Sequence, residues 1–182
     1  MQQEEVAVDD RCLEGRGRML IGVVSDTHGR LDPAVDGLFA GVERIFHAGD
    51  VGDEAVLARL RAIAPLTAVR GNCDDAPWGL ALPCVASEVL EGVRVVVVHD
   101  RLMLDVYASP ELLEVMMSGG VGVLIHGHTH CAEVSREHCT LCLNPGSASL
   151  PHYELPRSVA LLRIDDGDCS VEIRGLGHDL LL

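Results

Sequence analysis

Five short stretches of the 182-residue chain combine histidine, aspartate and asparagine with glycine. Imidazole, carboxylate and amide oxygen, without thiolate, suit a catalytic site for Mn, Fe or Zn better than a structural cysteine site for zinc. In Asp-x-His and His-x-His, an extended turn places two side chains on the same side. One carboxylate can bridge two ions about 3.5–4 Å apart, the geometry of two-metal hydrolysis. The stretches are residues 25–29, 47–50, 70–74, 99–100 and 126–130.

Each stretch follows an apolar run that the pattern predicts to be a buried β-strand. Ligands of open α/β sheets bind outside the carboxyl ends of the strands, so we expect the five exits to converge in one pocket. Glycines beside that pocket let the backbone turn sharply. These glycines are Gly29, Gly49, Gly71 and Gly127, and the runs are residues 19–24, 42–46, 66–69, 93–98 and 121–125.

The remaining elements are predicted from periodicity and turn signals. Helices are expected at residues 32–40, 53–63 and 110–118. Strand pairs are expected for residues 85–90 with 93–98, 132–137 with 140–143, and 159–164 with 169–174. Strand–helix alternation followed by hairpins indicates a mixed sheet, or two packed sheets, with helices outside.

A fixed series of motifs runs along the chain: Asp26-Thr27-His28, Gly49-Asp50, Gly71-Asn72, His99 and Gly127-His128-Thr129-His130. This series resembles that of calcineurin-like metallophosphoesterases. Two further segments, Gly71-Asn72-Cys73-Asp74 and Asn144-Pro145-Gly146-Ser147, resemble the small bacterial and archaeal phosphodiesterase branch. The resemblance extends from Met19 to near the C-terminus. It implies an α/β fold in which two mixed β-sheets pack as a sandwich with helices on both outer faces.

The resemblance also implies two divalent metal ions, with Mn²⁺ expected first and Fe, Zn, Ni or Mg as alternatives. One ion would be held by Asp26, His28, Asp50 and His130, and the other by Asp50, Asn72, His99 and His128. Asp50 would bridge the ions, and a hydroxide bound between them would attack phosphorus in line with the leaving oxygen. The implied activity is hydrolysis of a phosphate ester, with a phosphodiester as the first expectation. The residues expected to act in catalysis are Asp50, Asn72, His99 and Cys73.

Two positions depart from the family pattern. Cys73 stands where many relatives carry a histidine that is a candidate acid. A thiol beside two cations tends to lose its proton, which predicts a preference for leaving groups that depart unprotonated, such as aryl groups. Cys73 could instead simply leave room for a substrate. Asp100 replaces a glycine, and it could orient His99 or point into solvent.

Other polar side chains have simpler interpretations. His47 and His126 are expected to be structural, and no pattern includes His138, His152 or His178. Cys139 and Cys142 are three positions apart in a predicted strand, which favours ordinary sheet cysteines over a zinc or redox pair. Arg70 could contact a substrate phosphate or be structural or solvated.

The amino-acid composition limits the classes of partner that the protein is expected to bind. The net charge is −14, and all 14 basic residues are arginine, which argues against a broad nucleic-acid-binding face. A small phosphorylated substrate held by metal ions remains compatible, because bound cations can dominate the local field. No run approaches the roughly 18 apolar residues of a membrane span. Seven cysteines, an odd number, favour free thiols in a reducing cytoplasm.

The domain organisation is predicted to be simple. Residues 1–18 are polar and acidic and are expected to be a flexible tail, with residues 19–182 as a single domain. The oligomeric state is left open, and a homo-oligomer is compatible with the sequence. Two alternatives to a phosphodiesterase are a phosphomonoesterase or nucleotide phosphohydrolase on the same site, and a protein-binding scaffold of the retromer-subunit type. Suitable ligands at all seven positions argue against the scaffold.

Overall fold

The computed structural model describes residues 17–149 and 155–177. Within these ranges, ten strands form two five-stranded sheets, and five short α-helices and one 3-10 helix connect them. The strands are β1 (Arg18–Val24), β2 (Arg44–His47), β3 (Leu66–Ala68), β4 (Val85–Leu90), β5 (Val93–Val98), β6 (Val123–Ile125), β7 (Glu133–Glu137), β8 (Thr140–Asn144), β9 (Ser158–Asp165) and β10 (Asp168–Gly175). The helices are α1 (Ala34–Leu38), α2 (Glu54–Ile63), α3 (Pro77–Leu80), the 3-10 helix (Arg101–Met103), α4 (Leu104–Tyr107) and α5 (Pro110–Met117).

Both sheets are mixed, and each contains three adjacent parallel strands. The first has the order β10-β9-β1-β2-β3, in which β1, β2 and β3 are parallel. The second has the order β4-β5-β6-β8-β7, in which β5, β6 and β8 are parallel. The antiparallel partners are β9 and β10 in the first sheet and β4 and β7 in the second. The carboxyl ends of parallel neighbours lie at the same edge of a sheet, so the loops that follow them can meet.

Successive side chains of a strand point to opposite faces of its sheet. The buried apolar residues therefore form three clusters, one between the sheets and one on each outer face. Val95 and Val97 of β5 lie in the cluster between the sheets, whereas Val96 and Val98 lie in the cluster beneath α4 and α5. On the other outer face, helices α1 and α2 cover the first sheet, with Phe39 fully buried in that cluster. A strand that is buried on both faces needs an apolar residue at every position, which explains the continuous valine run of β5. The expected sandwich of two mixed sheets with helices on both outer faces is confirmed.

The predicted elements are present, with ends that differ by one or two residues. The first strand begins at Arg18 rather than Met19. Helix α2 begins at Glu54, after Asp53, whose carboxylate accepts a hydrogen bond from the Ala55 N–H at 2.8 Å. Sequence patterns missed α3, α4 and the 3-10 helix, because four residues or fewer are too short to show helical periodicity. Most of the expected tail, residues 1–16, lies outside the described residues, as do His152 and His178.

The six cysteines of the described ranges are free thiols. Cys142 is buried within β8, whereas Cys139 lies exposed in the preceding turn, so of these two cysteines Cys142 alone lies in a strand. Within residues 17–149 and 155–177, none of the helices has the length and apolar character needed to cross a membrane.

Leu162 tests the inter-sheet packing. It is fully buried between the sheets, so Leu162→Ala is expected to lower the free energy of unfolding by about 2–5 kcal/mol, measured by urea denaturation. The exposed Val89→Ala serves as the control and should change it by about 0.5 kcal/mol or less. Equal losses for the two variants would contradict this description of the core.

Candidate metal centre

The predicted ligand residues follow the carboxyl ends of five strands. Asp26 and His28 follow β1, Asp50 follows β2, and Asn72 follows β3. The second sheet contributes His99 after β5 and both His128 and His130 after β6. Direct contacts join the seven side chains into two groups that share Asp50.

The first group contains the four residues that the family resemblance implied for one ion. One ligand atom from each lies within 4.8 Å of the other three: Asp26, His28, Asp50 and His130. His28 Nε2 is 3.3 Å from His130 Nε2, and His130 Nε2 is 3.2 Å from Asp26 Oδ1. Donor atoms of three different loops therefore converge on a space that a cation can occupy.

The second group lies on the other side of Asp50. The Oδ1 atom of Asn72 is 3.0 Å from His99 Nε2 and 3.1 Å from His128 Nδ1. The two imidazole rings meet edge to face, with centroids 5.2 Å apart. An amide oxygen and two imidazole nitrogens again form a donor set for a divalent cation.

Asp50 connects the two groups. Its Oδ1 is 3.5 Å from His99 Nε2, and its Oδ2 is 3.9 Å from His28 Nε2. The side chain is almost fully buried, and its Oδ1 accepts a hydrogen bond from the Cys73 N–H at 2.8 Å. One carboxylate oxygen thus faces each group, as a bridging ligand requires.

The hydrogen bonds around Asp26 leave one of its oxygens for a cation. Its Oδ2 accepts hydrogen bonds from Ser25 Oγ at 2.6 Å and from the His128 N–H at 3.2 Å. Its Oδ1 is buried and lies 3.2 Å from His130 Nε2, but within the described part of the chain it receives no hydrogen bond of good geometry. Burial acts to raise the pKa of Asp26, but His130 and Ser25 together hold it below the usual value. A charged, incompletely satisfied oxygen therefore faces the imidazoles of the first group.

The orientation of His99 is set by the backbone. Its Nδ1 lies 2.8 Å from the carbonyl oxygen of Ala48, which can only accept, so Nδ1 carries the proton. In the neutral ring Nε2 then presents its lone pair toward the Asn72 side chain, 3.0 Å from its Oδ1, which is the orientation that a metal ligand needs. Asp100 was expected either to orient His99 or to point into solvent, and its carboxylate instead has two other contacts. Its Oδ1 accepts from the Leu102 N–H at 2.9 Å, and its Oδ2 is 3.9 Å from His128 Nε2.

The backbone is strained at most of these residues. Eight non-glycine residues of the described chain have positive φ, and three of them lie in hairpin turns. The other five belong to the two donor groups: Asp26 (53°), His28 (44°), Asp50 (53°), His128 (69°) and His130 (57°). This conformation costs an L-residue roughly 1–2 kcal/mol, so the rest of the fold must enforce it. No sequence signal had indicated this strain.

Two glycines allow the loops to approach one another closely. A Cβ atom at Gly71 would lie 2.1 Å from Asp50 Oδ1, and one at Gly127 would lie 1.9 Å from Ser25 Oγ. Any side chain at either position would displace a donor group.

Buried polar residues outside the donor set hold the loops in place. The Asp74 carboxylate accepts hydrogen bonds from the Gly52 N–H at 2.9 Å and the Gly71 N–H at 2.8 Å. Asn144 donates to the Gly127 carbonyl at 2.9 Å, and Ser147 donates to the Asp26 carbonyl at 2.9 Å. Sequence reasoning had used the segment around Asn144 only as a mark of the family branch. Its Asn-Pro-Gly turn signal could have indicated a structural loop.

His47 and His126 are structural, as expected. The buried His47 accepts from the Gly49 N–H at 3.2 Å, and its Nε2 contacts Thr27 Oγ1 at 2.9 Å. Burial lowers the pKa of His47 to about 4, so the ring is neutral near pH 7. His126 is buried beside Asn144, and burial also lowers its pKa.

Cys73 is exposed beside Asn72, whose side-chain N–H group lies 3.3 Å from the sulfur. Partial burial and the nearby Asp50 carboxylate raise the pKa of the Cys73 thiol to about 11. The charges of the protein itself therefore favour the protonated thiol. The thiolate expectation depends entirely on bound cations.

A groove of about 390 Å³ opens beside the second group. Asn72, His99 and His128 line it together with Met103 and Tyr107. Arg70 also lines the groove, and its guanidinium is 3.2 Å from the exposed carboxylate of Asp75.

Comparison with known proteins agrees with this geometry. A family model described as the calcineurin-like phosphoesterase superfamily domain matches residues 19–167. A probable metallophosphoesterase of Methanothermobacter thermautotrophicus is 36% identical over 163 residues, covering 85% of this chain and 91% of the relative. The phosphodiesterase YfcE of Escherichia coli is 30% identical over 178 residues, covering 81% and 89%.

Solved structures show the same fold. A predicted phosphoesterase from Streptococcus pneumoniae superimposes with a TM-score of 0.68 at 23% identity, over 90% of this chain and 92% of that one. Vacuolar Protein Sorting 29 from Cryptosporidium parvum gives 0.67 at 21% identity, over 87% and 97%. The family match and the curated relatives place this chain in a family of hydrolases. The chain therefore belongs to the calcineurin-like phosphoesterase superfamily and is a metallophosphoesterase.

Proposed function

We propose that this protein hydrolyses phosphodiesters with two divalent metal ions, Mn²⁺ being the first expectation. The observation that carries the proposal is the position of Asp50, which directs one carboxylate oxygen toward each donor group. The first ion would be held by Asp26, His28, Asp50 and His130, and the second by Asp50, Asn72, His99 and His128. When bound, such ions lower the pKa of a coordinated water and neutralise charge on the phosphate.

Other groups of the chain orient the side chains that would bind the ions. The Ala48 carbonyl fixes the His99 ring so that Nε2 is available as a ligand. Ser25 and the His128 N–H occupy one oxygen of Asp26, which leaves the other for the first ion. Donors that are fixed before substrate arrives need no reorganisation during the reaction, which favours catalysis.

A diester is the preferred substrate class for two reasons. It carries less negative charge than a monoester, which suits a protein with a net charge of −14. Its hydrolysis with a good leaving group does not need the proton donor that many relatives have at the position of Cys73. A phosphomonoesterase or nucleotide phosphohydrolase is the runner-up on the same site. The Vps29 fold likeness alone gives little support to a scaffold, because all seven donor positions hold suitable ligands.

The two-ion proposal predicts different metal losses for different ligands. Asp50→Ala should weaken both ions, so metal content should fall from about two ions per chain toward none. His28→Ala should weaken chiefly the first ion and Asn72→Ala chiefly the second, because each side chain belongs to one group. Elemental analysis after loading with Mn²⁺ and buffer exchange measures this directly.

The control for metal content is His138→Ala, since this exposed histidine lies in the turn between β7 and β8. It should retain the metal content and activity of the wild type. Two tightly bound ions and full activity in Asp50→Ala would refute the assignment of the bridge.

The leaving-group proposal predicts the effect of Cys73→His. General acid catalysis is typically worth 10²–10⁴-fold, so a donor at this position should help alkyl diesters more than aryl diesters, by roughly tenfold or more. The measured quantity is the ratio of kcat/KM for an aryl diester to that for an alkyl diester, at fixed Mn²⁺ concentration and pH.

Cys139→His is the matched control, because Cys139 is an equally exposed thiol in the turn before β8. This variant should leave the aryl-to-alkyl ratio unchanged. If Cys73→His also left the ratio unchanged, Cys73 would not mark a missing proton donor. Asp74 is not the substitute, since both of its oxygens accept backbone hydrogen bonds.

A further inference from the structure

One short segment of the surface is unusually apolar. Of the nine large hydrophobic side chains that are strongly exposed within the described ranges, four lie in the six positions from 102 to 107. Exposed apolar side chains that cluster in this way mark binding surfaces more often than scattered ones do. The four are Leu102 (84% exposed), Met103 (40%), Val106 (68%) and Tyr107 (51%).

This segment is fixed beside the second donor group. It begins three residues after His99, and the Asp100 carboxylate caps its first turn through the Leu102 N–H. Leu104 is buried in the outer apolar cluster and holds the segment against the second sheet. The Arg101 guanidinium contacts the Glu137 carboxylate at 2.7 Å. The exposed side chains are therefore presented by a fixed backbone.

Two of the four exposed side chains line the groove that contains the second donor group. Met103 and Tyr107 share its lining with Asn72, His99 and His128. Leu102 and Val106, from the same segment, are not part of the lining. The groove volume of about 390 Å³ is suited to a small organic group rather than to a macromolecule.

We propose that Met103 and Tyr107 bind an apolar or aromatic group of the phosphate ester, whose phosphate lies at the second donor group. This inference rests on the proposed function and specifies its substrate class. A tyrosine ring and a flexible thioether together offer a contact surface for a flat ring, and such contacts strengthen binding beyond the area buried. Asp100 and Arg70 both line the groove, and the Arg70 guanidinium already contacts the Asp75 carboxylate, so the lining does not specifically favour a negatively charged substrate group.

The test measures binding without turnover. Phenylphosphonate and methylphosphonate carry the same phosphonate group, and only the first has an aromatic ring. Titration calorimetry with the Mn²⁺-loaded protein should show tighter binding of phenylphosphonate. Tyr107→Ala should weaken phenylphosphonate binding by roughly five- to tenfold and methylphosphonate binding by about twofold or less, because only the ring loses its contact. Met103→Ala should act in the same direction.

Val106→Ala is the matched control, since it removes exposed apolar surface from the same helix but outside the groove. It should leave the ratio of the two affinities unchanged, and urea denaturation verifies that each variant is folded. The inference is overturned if wild type has no preference for phenylphosphonate. It is also overturned if Tyr107→Ala keeps that preference, or if Val106→Ala reduces it equally.

Failure of the proposed function gives a different pattern. If wild type binds phenylphosphonate in preference to methylphosphonate but hydrolyses no diester in the presence of Mn²⁺, the groove assignment stands and the activity does not. If wild type hydrolyses diesters while Tyr107→Ala keeps the wild-type affinity ratio, the activity stands and the groove assignment fails.

Discussion

The arrangement of this protein depends on the burial of two carboxylates. Asp26 is fully buried and Asp50 nearly so, and both lie where two sheets bring strand ends together. An ionised carboxylate without compensation is costly in such a place, so its charge must meet donors or cations. Hydrogen bonds from backbone N–H groups and a hydroxyl group compensate only part of the carboxylate charge. The remaining carboxylate oxygens face histidine nitrogens. The unsatisfied oxygen of Asp26 is the clearest sign that a cation belongs there.

The cost of holding these groups is visible in the surrounding loops. Five donor residues adopt a left-handed backbone conformation, and the neighbouring glycines admit no side chain. Hydrogen bonds accepted by Asp74 and donated by Asn144 and Ser147 hold the loops in that conformation. The apolar clusters of the sandwich supply the stability that this strained edge lacks. Such an edge concentrates polar and strained groups where function requires them, a common compromise in enzymes.

The sequence could indicate the architecture and the candidate ligands because both leave local marks. Buried strands such as β5 appear as continuous apolar runs, and polar residues at their exits identify the edge where they meet. The hydrogen bond between Asp74 and Gly52 could not be predicted, because the two residues are 22 positions apart and only the tertiary structure brings them together. The groove segment was missed because its helices are too short for periodicity. The pKa of the Cys73 thiol in the absence of ions could not be predicted, because it depends on charges that only the fold brings near it.

The central claim is that Asp50 joins two ions. Crystals grown with Mn²⁺ and measured by anomalous X-ray scattering at the manganese absorption edge test it most directly. The account predicts two anomalous peaks about 3.5–4 Å apart, one beside His28 and His130 and the other beside His99 and His128, with Asp50 between them. A single peak within one donor group, or two peaks neither of which is coordinated by Asp50, would contradict it.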